Sequence, residues 1–251
     1  MSHHHDPIDR LTPTLLPDQQ VVMHQNWHHL LFLHWEVPVP ELQRLIPPEL
    51  TIDTFEGKAY VTLLPFTVTG ARPVMLPAVP WLSEFHEVNV RTYVHLRGEN
   101  PGVWFFSLDA SSVIAAAGAR AVYKLPYTHA HIQMNVKPHS IEFTSHRDDD
   151  RAPMPAHVHT RYDPQPGMLG QAKLGSLDHF LVERYILYSV DADHQLHRAR
   201  VHHQPYPLQA VEVPQLEETL LWAAGIKRAE APPLAHYASE VNVKVFPLTQ
   251  C

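Results

Sequence analysis

The chain has 251 residues, 45% hydrophobic and 18% charged, which is enough apolar material for one substantial core. A formal net charge of -7 with the histidines neutral excludes a basic nucleic-acid footprint. No apolar run reaches the roughly 18 residues that a membrane helix needs.

The 24 prolines against 9 glycines disfavour a helical bundle and suit short strands joined by stiff turns. The one cysteine, Cys251, forms no internal disulfide, and this usage suits a reducing, cytoplasmic compartment. The start, "MSHHHDPIDRLTPTLLPDQQ", lacks an apolar signal core, and His3, His4 and His5 are set aside from site reasoning. Residues 1–24 read as an N-terminal extension and 25–251 as a single domain.

In chain order, "WHHLLFLHWEV" reads as a buried strand, "PELQRLIPPEL" as a short helix stopped by Pro47 and Pro48, and "KAYVTLLPFTV" as a strand. "ARPVMLPAVPWLSEFH" reads as a proline-rich crossing loop. "HEVNVRTYVHLRG" alternates with period two: Val88, Val90, Thr92, Val94 and Leu96 on one face, Glu87, Asn89, Arg91, Tyr93 and His95 on the other. "GVWFFSLDA" completes a hairpin with it, and "ASSVIAAAGARAVY" is a helix with a serine cap. "YTHAHIQMNVK" is a strand, and "SIEFTSHRDDDRAPMPAHVHTRY" gives strand, acidic tip and strand. "GSLDHFLVERYILYSVD" and "QLHRARVHHQPYPLQAVEV" read as two strands, "PQLEETLLWAAGI" as a helix and "HYASEVNVKVFPL" as a closing strand. The expectation is a mainly β (α+β) fold: an antiparallel, curved β-barrel with a few flanking helices.

Six ordered stretches carry a resemblance: "LLFLHWEVPVPELQRLIPPEL", "FHEVNVRTYV", "GVWFFSLDA", "ARAVYKLPYTHA", "GSLDHFLVERYILYS" and "VHHQPYPLQ". They resemble the YqjF-like bacterial family, a domain of unknown function that is similar in fold to acetoacetate decarboxylase. The resemblance implies a small-molecule cavity. Decarboxylases of that superfamily carry Pro-Lys-Lys, whose first lysine forms a Schiff base once a neighbouring cation has lowered its pKa. With Pro126 on that proline, Tyr127 and Thr128 fall where the lysines would be. Lys124 lies three positions from the reactive one, about 10 Å along a strand and on the reversed face. Schiff-base decarboxylation is therefore not expected. The resemblance carries the family's glutamate onto Glu87.

Glu87 and Tyr127 are the candidate acid-base residues, and Asn89, Arg91, Tyr93, Arg120 and Tyr123 the candidate substrate-binding residues. An arginine binds a carboxylate through two parallel hydrogen bonds, so the expected ligand is a small organic acid or carbonyl compound. Two readings stay open, an enzyme moving a proton on an enolisable substrate and a binder that leaves its metabolite unchanged. A histidine-ligated barrel is a further alternative.

His129-Ala130-His131 and His157-Val158-His159 each place two imidazoles on one strand face. In a meander the pairs are separated by a third strand and about 10 Å, too far for one zinc ion. No metal and no cofactor is expected. Asp178, His179, Glu183 and Arg184 lack a Gly-x-Ser-x-Gly elbow, so no triad is read there. Glu183 and Arg184 read as a solvated or wall pair, and "RDDDR" (147–151) as a solvated hairpin tip. No nucleic-acid or membrane partner is expected, and homo-oligomer formation is left open.

Overall fold

The computed structural model describes residues 8–75, 77, 83–230 and 233–251; His3, His4 and His5 and part of the proline-rich loop lie outside the described residues. The fold is mainly β. The chain runs β1 (Met23–Val37), α1 (Val39–Gln43), β2 (Leu50–Ile52), β3 (Ala59–Pro73), β4 (Phe85–Leu96), β5 (Glu99–Ala110), α2 (Val113–Tyr123), β6 (Tyr127–His129), β7 (His131–Val136), β8 (Ile141–Arg147) and β9 (Ala156–Pro164). It continues through α3 (Leu177–Val182), β10 (Ile186–Val190), β11 (Leu196–His203), β12 (Leu208–Gln209), β13 (Val211–Glu218), α4 (Leu220–Ala223), β14 (Leu234–Val245) and β15 (Thr249–Gln250).

The main sheet follows the order β14-β1-β3-β4-β5-β10-β11, and β11 pairs back with β14 through Val201↔Val245. The sheet thus curves into a ring. A second, four-stranded sheet in the order β13-β9-β8-β7 packs outside it. Period-two alternation divides the ring strands between two cores. On β1, Leu31, Leu33 and Trp35 join Val88, Val90 and Val94 of β4 and Phe143, Val158 and Tyr162 of the second sheet. Leu30 and Phe32 point the other way, into the ring, with Phe66, Tyr93 and Phe180. One face of β4 therefore welds the two sheets together, which leaves its other face for the ring interior.

Three local outcomes differ from the sequence reading. "SLDHFLV" is helical, not strand: Ser176 accepts the His179 N–H as an N-cap and Asp178 lies in the first turn. "PQLEE" continues strand β13 beside β9, and only Leu220–Ala223 is helical. Its glutamates favour a helix in isolation, but pairing with β9 at the edge of the second sheet overrides that preference. The ring is antiparallel except where β5 meets β10 and β6 in parallel. At the first of these junctions a Cβ on Gly102 would stand 2.6 Å from the Ile186 carbonyl oxygen, so only glycine allows this approach.

Candidate functional site

The ring borders a partly open cavity of about 330 Å³ whose wall includes Glu87, Asn89 and Arg91 from β4 and Tyr123 and Tyr127 from the α2–β6 segment. The polar face read on β4 thus borders a hollow instead of solvent. Its pleat brings i, i+2 and i+4 to the same side, and the two ends of this polar row have different chemistry.

At one end the Glu87 carboxyl is 4% exposed. Tyr127 Oη–H donates to its Oε2 at 2.8 Å, and Asn89 Nδ2–H donates to its Oε1 at 3.3 Å. Burial pushes Glu87 up to about 7; the Tyr127 and Asn89 hydrogen bonds pull it down, and nearby Asp109 pushes it further up. A carboxyl that titrates near neutrality exchanges a proton at little cost. Burial, with the adjacent Glu87, holds the Tyr127 phenol well above its ordinary range, so Tyr127 donates to Glu87 as a neutral phenol. Behind them Asp109 accepts from Thr128 Oγ1 at 2.6 Å and from the buried Arg147 at 3.0 Å. Arg147 is therefore a core ion pair, a correction to its place in a solvated tip; Asp149 of that tip accepts from Arg151 and the His129 N–H.

At the other end Arg91 is 6% exposed. No carboxylate lies within ion-pair distance of it among the described residues, and its Nε and Nη2 have no partner. Its guanidinium stands 5.6 Å from the Phe32 ring centroid. A Glu87–Arg91 ion pair, the structural alternative for this face, is not formed. Arg184, which also borders the cavity, is paired: its Nη1 donates to Asp53 Oδ2 at 2.8 Å, and Arg10 clamps the same carboxylate with two bonds of 2.7 Å. Burial alone would raise Asp53, but the two guanidiniums outweigh it and hold the carboxyl below its usual range.

The remaining candidates take different positions. Tyr123 borders the cavity, its hydroxyl reaching the Phe246 carbonyl at 3.4 Å. Tyr93 is fully buried beside it, bonded to Thr62 at 2.6 Å and to the Leu181 carbonyl at 2.7 Å. Arg120 is outside the lining and donates to the Tyr127 carbonyl at 2.8 Å, so it fixes the backbone that presents Tyr127. Lys124 caps α2 in the left-handed conformation, φ 56°, exposed, with Nζ on the Ala121 carbonyl. Glu183 and Arg184 are buried and do not pair with each other: Glu183 accepts from Tyr185 and the Tyr206 N–H. Asp178 pairs with His236, which meets His34. On β7–β8–β9 the register is His131↔His146↔His157, and no group of three His, Cys, Asp or Glu among the described residues is arranged to hold a metal ion.

Sequence reasoning missed Arg184, Trp27, Phe105 and Tyr206 as lining residues. Arg184 carried a signal, a cation inside the apolar stretch "FLVERYILY". The aromatic residues carried none: Trp27 and Phe105 look like any ring-strand side chains, and Tyr206 lies in the connection between β11 and β12.

A family model described as an uncharacterised conserved protein, DUF2071, matches residues 24–242. The chain is 38% identical over 233 residues to the uncharacterised protein YqjF of Bacillus subtilis (strain 168), covering 93% of this chain and 94% of that protein. Among solved structures, acetoacetate decarboxylase of Legionella pneumophila aligns over 93% of this chain and 90% of its own, with a TM-score of 0.61 and 12% identity. An acetoacetate decarboxylase-like enzyme of Sphingomonas wittichii aligns over 92% and 93%, with a TM-score of 0.63 and 11% identity. The enduracididine biosynthesis enzyme MppR, complexed with pyruvate, aligns over 94% and 91%, with a TM-score of 0.63 and 11% identity. At these identities the likeness is one of fold. No helix among the described residues is long and apolar enough to cross a membrane.

Proposed function

The chain belongs to the DUF2071 family of uncharacterised conserved proteins, and from that premise and the cavity's geometry we propose that it takes a small organic acid or carbonyl compound, with the carboxylate on Arg91. One observation supports this above the others: Arg91 is buried against the cavity with no anionic partner among the described residues. A guanidinium does not shed its charge, and a buried cation without a counter-charge costs several kcal/mol. A carboxylate from solution supplies the missing partner.

Glu87 and Tyr127 are the acid-base pair of this reading. The Glu87 carboxylate removes a proton from a carbon beside a carbonyl, the C–H electrons move to the carbonyl oxygen, and the same carboxyl returns the proton. No Schiff base takes part in this reading: no lysine among the described residues borders the cavity, and the Lys124 Nζ donates to the Ala121 carbonyl. The solved structure of similar fold that is complexed with pyruvate favours an acid ligand by analogy of fold.

A second reading, binding without turnover, draws on the Glu87 carboxyl itself, whose two oxygens are both engaged by Tyr127 and Asn89. Proton–deuterium exchange at the carbon beside the ketone of a bound oxo acid whose ketone is remote from its carboxylate, followed by NMR in D2O, separates the two. Exchange that is lost in Glu87→Gln is expected for the enzyme; binding that depends on Arg91 without exchange leaves the binder. Binding unaffected by Arg91→Met overturns both.

A further inference from the structure

The Glu87 and Arg91 ends of the polar row are four residues apart on one strand, about 13 Å of backbone. Arg91 is not among the groups that act on the Glu87 carboxyl. A four-carbon oxo acid, whose carboxylate and carbonyl are almost adjacent, does not reach both ends. The cavity also has more room than such an acid fills: at about 30 Å³ per water-sized group, 330 Å³ holds roughly eleven non-hydrogen atoms.

The space between and beside the two ends is apolar. Trp27, Phe85, Phe105 and Leu108 line it, and α2 closes one side. Ile114, Gly118 and Val122, at i, i+4 and i+8, share the helix face that borders the hollow. Ile114 and Val122 are each 59% exposed, an apolar surface at the cavity edge. Gly118 is out of place in a helix interior, where it costs about 1 kcal/mol against alanine. A Cβ there meets no atom within 4 Å, so nothing in the fold demands a glycine. A smooth, shallow helix wall does.

Resting on the reading above, we propose that the ligand is an elongated monocarboxylic acid. Its carboxylate sits at Arg91, and an apolar body of about six to ten carbons lies along Phe105 and α2. Its far end reaches the Glu87–Tyr127 corner. This is a medium-chain or aryl-alkyl acid, not a metabolite the size of acetoacetate.

Titration calorimetry with straight-chain carboxylates from acetate to decanoate, and with the matching 1-alkanols, tests this. Each added methylene moves from water into the apolar wall, so affinity for the acids should rise about three- to fourfold per carbon until the cavity is full. The alkanols should bind at least tenfold more weakly. Acids that all bind with one affinity, in an Arg91-dependent way, overturn the elongated ligand and leave the carboxylate site standing. Alkanols that bind as tightly as acids, or no acid binding at all, overturn the carboxylate site itself. Gly118→Leu, which the surrounding space accommodates, should cut the octanoate-to-butyrate affinity ratio at least tenfold; an unchanged ratio overturns the path along α2.

Discussion

Arg91 and Arg184 are buried to the same extent, 6% exposed each, and both stand over aromatic rings inside the ring sheet. Arg184 has a carboxylate built for it: Asp53 arrives from the segment after β2, and Arg10 clamps that carboxylate from outside. Arg91 has none. The same fold thus contains a cation neutralised by its own chain and a cation left for something else. Since burying a charge is costly, the first is part of the architecture, and in the function proposed above the second is where a carboxylate would bind.

The comparison breaks most sharply at Asp53. Asp53→Asn strands Arg184 in the interior, and a loss of about 3–5 kcal/mol in denaturant unfolding is expected. A loss below 1 kcal/mol would mean that the two arginines do not differ.

Glu87 gives the next largest effect. Its folded value of about 7 lies above the ordinary 4.5, so the fold favours the protonated carboxyl. The stabilisation is complete below pH 4.5 and is lost as pH rises through 7, on the order of 3 kcal/mol in all. Glu87→Gln should flatten this slope and leave the variant more stable than the parent at pH 8. An identical pH profile would contradict the burial argument.

Arg91→Met removes a charge without stranding a partner. Stability is expected to change by less than about 1 kcal/mol, or to increase, while carboxylate binding falls at least tenfold. Equal losses of stability at Arg91 and Asp53 would erase the distinction. Lys124 sets the low end of the scale: Lys124→Gly relieves a left-handed φ at a helix end and should stabilise by no more than about 1 kcal/mol. Borohydride with acetoacetate should leave no adduct on the native Lys124, as read by mass spectrometry.

The Arg91 half of the comparison was legible in the sequence and the Arg184 half was not. Alternation over "HEVNVRTY" is a local pattern, so it put Glu87, Asn89 and Arg91 on one side of a strand before any coordinates. Only the resemblance turned that side inward. The Asp53–Arg184 pair joins residues 131 apart, which no periodicity connects. The same limit explains α3. "SLDHFLV" is a short apolar run compatible with either helix or strand, and what decides it is a serine cap and the turn into β10. Ring closure by β11 on β14 is likewise a long-range outcome. The run of short strands leads to the expectation of a curved barrel, but which strands close it is not written in any local pattern.

The most direct measurement is a crystal structure of the chain soaked with octanoate. The account predicts carboxylate oxygens within about 3 Å of the Arg91 guanidinium and the alkyl chain laid against Phe105 and α2. An alkyl chain seated with its carboxylate in solvent, or an Arg91 found bonded only to groups of its own chain, would contradict it.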